Sequence, residues 1–230
     1  MYDKVKFLIA SDTSICVEFG NEISKEINDK IRAFEDMLKD YPIEGIEETV
    51  PTYRSVLVHY NPGIVTFSEL AEKLREIIEK SGNAHASEGE LIRVPVCYGG
   101  EYGPDLEYVA EYHNMTAEEV IDIHTGAECL IYMLGFTPGF SYMGGMDPRI
   151  ATPRLKTPRV KIPAGSVGIA AGQTGIYPID SPGGWQLIGR TPLKLYDPHR
   201  EPAVLFEAGQ RVQFYAITEE EFKRMEAEQA

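Results

Sequence analysis

The sequence lacks the common signatures of catalysis on phosphates or metals. It contains no GxxxxGK[ST] phosphate loop and no HExxH, CxxC or GxSxG motif. Their absence disfavours a self-sufficient nucleotide hydrolase of the common type and a zinc enzyme. The three cysteines, Cys16, Cys97 and Cys129, are far apart and lack metal-ligand spacing. We therefore expect reduced core thiols and no metal site.

Long apolar runs and an excess of basic residues are also missing. No apolar stretch approaches the roughly 20 residues that cross a bilayer, and the N-terminal apolar run is too short for a signal peptide. The 36 acidic residues outnumber the 22 basic ones, which gives a net charge of -14. Such a surface repels nucleic acid and anionic membranes. The sequence predicts a cytoplasmic protein that binds neither.

The first part of the 230-residue chain has the pattern of a small α+β domain. Strand-like and helix-like segments follow each other in the order ββαββα, with apolar residues of the first helix recurring every three or four positions. Both helices are expected to cover one face of an antiparallel-rich sheet. A polar, small-residue segment at 81–90 marks the domain boundary, so we predict domains at 1–85 and 90–230.

The second part begins with a strand and two short helices and then loses the helical period. One helix is predicted near 105–113, and another starts at the capping box of Thr116 and Glu119 and ends at Gly126. Beyond residue 128, short apolar runs alternate with glycine and proline turns. This pattern predicts a mainly β domain, either a barrel or a sandwich.

Glycine, proline and positive charge are concentrated between Gly135 and Arg190. This segment holds eleven of the 21 glycines, seven of the 15 prolines, and six basic residues against two acidic ones. Its balance of +4 leaves -18 for the rest of the chain, since -14 minus +4 is -18. Cationic loops with exposed backbone N–H groups suit a small anion or a phosphate. Ordinary ion pairs with surface carboxylates are the alternative interpretation.

Several polar and aromatic residues stand among these loops. Gln173, Tyr177 and the only tryptophan, Trp185, could give hydrogen bonds and a flat apolar wall to a ring-like ligand. Trp185 could equally belong to the core. His124, at a helix C-terminus, is a candidate general acid or base, although a histidine there can simply favour the helix dipole.

Two long stretches of the sequence resemble one known family. They are GFTPGFSYMGGMDPRIATPR at 135–154 and PRVKIPAGSVGIAAGQTGIYPIDSPGGWQLIGRTP at 158–192. They resemble the carboxyltransferase C/D family, whose bacterial members are called the B-type subunit of 5-oxoprolinase, kinase A inhibitor or allophanate hydrolase subunit 1. The resemblance covers nearly the whole chain. It implies a ferredoxin-like N-terminal domain followed by a cyclophilin-like β-barrel.

The same resemblance implies an activity and partners. It implies that this chain is one subunit of a hydrolase that opens 5-oxoproline to glutamate with ATP. The other two subunits would be a paralogous cyclophilin-like subunit and a third subunit. The resemblance also implies that this chain is inactive alone. Two other functions remain open: an inhibitor that docks on a sporulation histidine kinase, and a component of a biotin-dependent urea or amide carboxylase. The chain has no biotin-acceptor segment, so it is not expected to carry biotin itself.

Carried onto this sequence, the family pattern implies a pocket. We expect Arg159 and Arg190 to clamp anions, Gln173 and Tyr177 to orient the amide, and His124 to carry protons. Cys129-Leu130 departs from the family pattern near His124. The full set implied is His124, residues 135–147, Arg149, Arg159, Lys161, Gln173, Tyr177, Trp185 and Arg190.

Overall fold

The structure is a computed structural model that describes residues 4–81 and 89–229. These residues fall into two compact units, the second of which begins at Gly89. Most of the predicted boundary segment, 81–90, lies outside the described residues, so its position stays a prediction. Within the described residues, no helix is long and apolar enough to span a bilayer.

The first unit contains four strands and two helices in the predicted order ββαββα. The strands form an antiparallel sheet in the order β1-β2-β4-β3. Their bounds are β1 Lys6–Ser11, β2 Ser14–Glu18, β3 Ile46–Pro51 and β4 Ser55–Tyr60, and the helices are α1 Lys25–Asp40 and α2 Phe67–Ser81. The narrower assignment of this unit as ferredoxin-like stays a prediction.

Local sequence explains where these two helices begin. The Ser24 side chain accepts a hydrogen bond from the Ile27 N–H at the start of α1. At α2, Thr66 and Glu69 exchange side-chain and backbone hydrogen bonds in a capping box. Apolar residues of both helices share one buried cluster with alternate residues of β2 and β4. Both helices therefore cover the same face of the sheet, as predicted.

The second unit is built on a closed barrel of seven strands. Around the barrel the order is β10-β7-β6-β13-β5-β12-β9, and all neighbours are antiparallel except the parallel pair β13 and β5. The barrel strands are β5 Leu91–Tyr98, β6 Glu128–Leu134, β7 Ser141–Gly144, β9 Ser166–Ala170, β10 Gln173–Ile176, β12 Gln186–Arg190 and β13 Arg211–Ala216. Closure decides between barrel and sandwich, and it fits the predicted cyclophilin-like barrel.

The remaining elements of this unit lie outside the ring of strands. Strands β8 and β11 form a separate antiparallel ribbon. The Thr116 side chain and Glu119 cap α4 as predicted. The bounds are α3 Leu106–His113, α4 Ala117–Gly126, a 3-10 turn Pro148–Ile150, β8 Arg159–Ile162, β11 Ser181–Gly183 and α5 Glu219–Ala227.

Two apolar clusters divide the interior of the second unit. The larger one fills the barrel and extends under α3 and α4. A smaller cluster, separate from it, includes Phe140, Tyr177 and Trp185, with Tyr142 packed against it. Cys97 and Cys129 are buried free thiols, and Cys16 in the first unit is a partly buried one. The smaller cluster matters for function because it borders an open cleft.

Candidate functional site

The smaller cluster forms the wall of a cleft in the glycine- and proline-rich segment. The cleft has a volume of about 310 Å³. It is bordered by the loop after β6, strand β7, the loop before β8, and the β11–β12 connection. The lining residues are Phe136, Phe140, Tyr142, Arg154, Pro158, Tyr177, Pro182, Gly183, Gly184 and Trp185. We call this the aromatic cleft.

The rings in the cleft hold one another in place. Phe140 lies at the centre, with its ring centroid 4.7 Å from that of Tyr142, 5.0 Å from Tyr177 and 5.5 Å from Trp185. The contacts with Tyr177 and Trp185 are edge-to-face, an arrangement that aromatic pairs favour. Phe140, Tyr177 and Trp185 are almost completely buried. The result is a rigid apolar wall.

Glycines allow the rings to lie directly against the barrel. A Cβ on Gly175 would lie 3.0 Å from Cζ3 of Trp185 and 2.7 Å from the Ser141 carbonyl oxygen. A Cβ on Gly183 would overlap the Tyr177 hydroxyl. Such approaches are closer than side-chain contacts tolerate, so these two positions require glycine.

Replacing Gly175 with alanine is expected to push the Trp185 ring out of place. Overpacking of this kind costs about 1–3 kcal/mol of unfolding free energy. The matched control is Gly172→Ala, because a Cβ on Gly172 meets no atom within 4 Å. Chemical denaturation followed by tryptophan fluorescence measures both. Equal stability of the two variants would contradict the packing described here.

Arg154 brings positive charge to the aromatic cleft. Its guanidinium carbon lies 5.8 Å from the centroid of the Trp185 ring, a distance at which a cation is attracted to the ring face. Arg154 is exposed. Within the part of the chain that the structure describes, it has no carboxylate partner within 4.0 Å. Sequence reasoning counted Arg154 among the basic residues but did not place it in the site.

The two tyrosines of the cleft remain protonated donors. Burial raises the pKa of Tyr177 to about 12, while a hydrogen bond with the Trp185 backbone and the charge of Arg154 act in the opposite direction. Burial likewise raises the pKa of Tyr142, and the Arg154 charge lowers it. Neither hydroxyl therefore carries negative charge near neutral pH. The polar edge of the cleft is positive.

Phe136 sits at the rim with an unusual backbone. Its φ is 69°, in the left-handed region that bulky residues rarely adopt. Its side chain is 60% exposed, and its ring meets Phe140 edge-to-face at 5.6 Å. Hydrogen bonds from Gly135 N–H to the Phe140 carbonyl and from Phe140 N–H to the Thr137 carbonyl close the loop around it. The strained backbone thus presents an exposed ring at the mouth of the cleft.

The basic residues predicted to bind anions do not converge on one pocket. Each binds a carboxylate of the chain itself: Arg149 Nη2 lies 2.7 Å from Asp147 Oδ2, and Lys161 Nζ lies 2.8 Å from Asp180 Oδ2. Hydrogen bonding to Arg149 also lowers the pKa of Asp147. Both pairs match the alternative of ordinary surface ion pairs, and the anion-binding role of these two residues stays a prediction.

Arg159 and Arg190 have structural partners as well. Arg159 Nη2 donates to Asp105 Oδ1 at 2.7 Å, and its Nη1 donates to the Trp185 carbonyl at 3.3 Å. Arg190 Nε donates to the Ala164 carbonyl at 2.8 Å, and the guanidinium carbon lies 5.7 Å from the Phe222 ring centroid. Neither lines the aromatic cleft. The predicted anion clamp is therefore not carried into the proposed site.

His124 lies inside the barrel rather than in the cleft. Its Nδ1 is 2.7 Å from the Tyr98 hydroxyl, and its Nε2 is 2.9 Å from Thr174 Oγ1. Thr174 donates its own proton to the Gly168 carbonyl at 3.2 Å, so its oxygen accepts from Nε2–H, and Nδ1 accepts from Tyr98.

This arrangement assigns His124 a structural role. The side chain is completely buried and stacks on Phe214 at 4.5 Å. Burial lowers its pKa to about 3, so the ring is neutral and both nitrogens are occupied. The predicted role as proton carrier is not retained because the ring has no solvent contact and no free nitrogen.

The three remaining predicted residues divide between cleft and strand. Tyr177 and Trp185 line the aromatic cleft, although burial of Trp185 shows that it is both a wall and a core residue. Gln173 is the first residue of β10, opposite Ala170, and is not among the cleft residues. Among the described residues, no group of three or more histidine, cysteine or acidic side chains could hold a metal.

Comparison with known proteins identifies a single family. The family model described as carboxyltransferase domain, subdomain C and D, matches residues 5–206. The chain is 42% identical over 221 residues to the B-type subunit of the 5-oxoprolinase of Bacillus subtilis, which covers 92% of each protein. It is 35% identical over 212 residues to the corresponding 5-oxoprolinase subunit of Escherichia coli O157:H7, which covers 92% of this chain and 95% of that protein.

A more distant sequence relative and a solved structure are also similar to this chain. The urea amidolyase of Lachancea kluyveri is 28% identical over 254 residues, which span 96% of this chain but 14% of that protein. Among solved structures, the conserved uncharacterized protein PH0987 of Pyrococcus horikoshii is 45% identical with a TM-score of 0.57, covering 94% of this chain and 100% of the other.

Proposed function

This chain belongs to the family of the carboxyltransferase domain, subdomain C and D, and from that membership we propose that it is the B-type subunit of an ATP-dependent 5-oxoprolinase. The observation that carries the proposal is the similarity to B-type subunits of 5-oxoprolinases over 92% of the chain. The weaker similarity to a urea amidolyase covers 14% of that enzyme. We therefore propose the hydrolase role rather than a role in a biotin-dependent carboxylase.

The chemistry of the reaction favours a division of labour between subunits. Opening a lactam with ATP requires phosphorylation of a poorly electrophilic carbonyl oxygen, so the complete site must stabilise phosphate and the substrate carboxylate together. Arg149, Arg159 and Lys161 are held by carboxylates of this chain. These residues do not fit a triphosphate. We assign ATP binding to the partners, a paralogous cyclophilin-like subunit and a third subunit.

The aromatic cleft supports a role in holding the lactam. Its ring-lined wall and protonated tyrosines can enclose a small planar amide, exclude water and donate hydrogen bonds. No general base lies in the cleft among its described lining residues. A chain that binds substrate without supplying the base or the phosphate site is inactive alone, and we propose that this subunit acts only in the complex, in the cytoplasm, without biotin of its own.

Reconstitution tests this function. We expect ATP-dependent release of glutamate from 5-oxoproline when this chain is mixed with both partner subunits, and none when any one of the three is left out. Arg149→Gln should retain activity within about twofold, since Arg149 pairs with its own Asp147 at an exposed site. Folded subunits that form a complex but release no glutamate would contradict the proposal.

The role of kinase inhibitor stays a prediction from the family resemblance. It calls for an exposed apolar patch on the second unit. Tyr108 and Tyr112 of α3 are each about half exposed, with ring centroids 6.1 Å apart. Single exposed aromatic residues are normal on protein surfaces, so this pair does not favour the kinase role over the hydrolase role.

A further inference from the structure

We propose that the aromatic cleft binds a small, planar organic monoanion whose carboxylate pairs with Arg154 while its ring lies against Trp185. The inference rests on the proposed function for the choice of 5-oxoproline as ligand. It adds a residue, a binding geometry and a charge selectivity that neither the pocket implied by the family resemblance nor the predicted anion clamp contains.

The first argument is the contrast between Arg154 and three of its basic neighbours. Arg159, Lys161 and Arg149 each have a carboxylate of the chain within 2.8 Å. Arg154 is the one charged residue among the described residues that line the cleft, and among the described residues it has no carboxylate partner. A guanidinium offers a planar fork that matches a carboxylate with two parallel hydrogen bonds. A ligand carboxylate would supply the partner that the protein does not.

The second argument is the surface beside Arg154. The Arg154 guanidinium carbon lies over the Trp185 ring, 5.8 Å from the ring centroid. Contact with an aromatic surface reduces competition from water and strengthens an added ion pair. The Arg154 charge also reaches the Tyr142 and Tyr177 hydroxyls, since it lowers the pKa of both. A ligand in the cleft therefore meets a cation beside an aromatic wall.

Size and charge narrow the ligand class. At about 310 Å³, the cleft is at the lower end of the roughly 300–1,000 Å³ range of small-molecule sites. A single cation balances one negative charge, whereas a triphosphate needs several cations or a metal ion. The cleft thus fits a small monocarboxylate with a planar ring, as in 5-oxoproline, rather than a nucleotide.

The only tryptophan of the chain makes the test direct, because its emission reports on the cleft alone. We would titrate the isolated protein with 5-oxoproline, with the neutral lactam 2-pyrrolidinone, and with ATP, and follow Trp185 fluorescence. A saturable change is expected with 5-oxoproline, with at least about tenfold weaker binding of 2-pyrrolidinone, since a hydrogen-bonded charge is lost. A response to ATP that 5-oxoproline does not displace would overturn the proposal.

Substitutions of Arg154, compared with a substitution of Lys156 that removes the same charge, test the role of Arg154 itself. Arg154→Gln should weaken 5-oxoproline binding about 10- to 100-fold, and Arg154→Lys should weaken it less because the charge remains. Lys156→Gln is the matched control, since Lys156 is exposed, lies two residues away and does not line the cleft. Arg154 is exposed, so its variants should fold, which circular dichroism checks. Equal binding by Arg154→Gln and Lys156→Gln would overturn the assignment.

The reconstituted complex separates this inference from the proposed function. Arg154→Gln should raise the KM for 5-oxoproline by about tenfold or more, while the KM for ATP stays unchanged. Binding of 5-oxoproline that depends on Arg154, without any turnover, would support the proposed binding site and contradict the proposed function. Turnover with a KM for 5-oxoproline that Arg154→Gln does not change, together with no fluorescence change in the titrations, would support the proposed function and contradict the proposed binding site.

Discussion

Replacing Asp105 with alanine is expected to lower the unfolding free energy of the second unit by about 2–4 kcal/mol. Asp105 lies just before α3 and is 9% exposed. Its Oδ1 accepts from Arg159 at 2.7 Å, and its Oδ2 accepts from the Leu187 N–H at 2.6 Å. Removing the carboxylate leaves a partly buried cation without its counter-charge and a buried N–H without its acceptor, which costs more than the net worth of the bonds.

The same change should disturb the aromatic cleft. Arg159 also donates to the Trp185 carbonyl, so the loss of Asp105 frees the group that holds the Trp185 backbone. Denaturation followed by Trp185 fluorescence should therefore show both lower stability and altered native emission.

Two controls separate the contributions of Asp105. Asp105→Asn keeps an acceptor for the Leu187 N–H and should lose less than the alanine variant. Lys161→Gln breaks an exposed pair, in which the Lys161 side chain is 72% exposed, and should cost less than about 1 kcal/mol. If Asp105→Ala were no less stable than Lys161→Gln, the connection from α3 to β12 and β8 would not support the cleft.

The second large effect is a loss of stability in mild acid that depends on His124. Its folded-state pKa, about 3, is below the ordinary value of 6.5 because the ring is buried. Between these values the unfolded chain binds a proton that the folded chain does not, so unfolding is favoured as the pH falls. The stability is fully present above pH 6.5 and decreases below it by up to about 1.4 kcal/mol per pH unit.

The experiment compares wild type with His124→Gln between pH 7.5 and pH 5. We expect wild type to lose about 2 kcal/mol more than the variant over this range. The variant itself should be about 2–4 kcal/mol less stable at pH 7.5, because Tyr98 and Thr174 lose well-placed partners. Trp185 fluorescence restricts the measurement to the second unit and avoids Glu35 of the first unit, whose pKa burial raises. Parallel pH profiles would contradict the buried, neutral state of His124.

Much of the fold could be predicted because it depends on local patterns. The capping box of Thr116 and Glu119 sets the first turn of α4 within a residue of the predicted position. The order ββαββα and the change to short strands follow from the periodicity of apolar residues. Barrel closure could not be derived from periodicity alone, since a sandwich has the same alternation of short strands and turns.

The predicted site residues do not all come together in the structure, because the prediction depended on charge counted along the chain. The count covered only residues 135–190 and so left out Asp105, which lies 54 residues from its partner Arg159. Arg159 therefore looked like a cation without a carboxylate partner. For Arg149 the signal was available, since Asp147 is two residues earlier. Arg154 has no acidic residue within five positions on either side, but the same is true of Lys156, Arg159, Lys161 and Arg190, so spacing along the sequence could not have singled it out.

His124 shows a different limit of sequence reasoning. Its position at the end of α4 is consistent with catalysis or with a favourable interaction with the helix dipole. Neither interpretation predicts that the side chain is buried inside the barrel. The ring is held by Tyr98 and Thr174, which are distant in sequence. Burial by elements far apart in the chain leaves no local signal, so only the three-dimensional structure distinguishes a core histidine from a proton carrier.

A crystal structure of the assembled complex with 5-oxoproline tests the central claim most directly. We predict that the ligand occupies the aromatic cleft, with its carboxylate within hydrogen-bond distance of Arg154 and its ring against Trp185. A ligand bound elsewhere, for example in the cavity beside Arg149, with the aromatic cleft empty, would contradict the account.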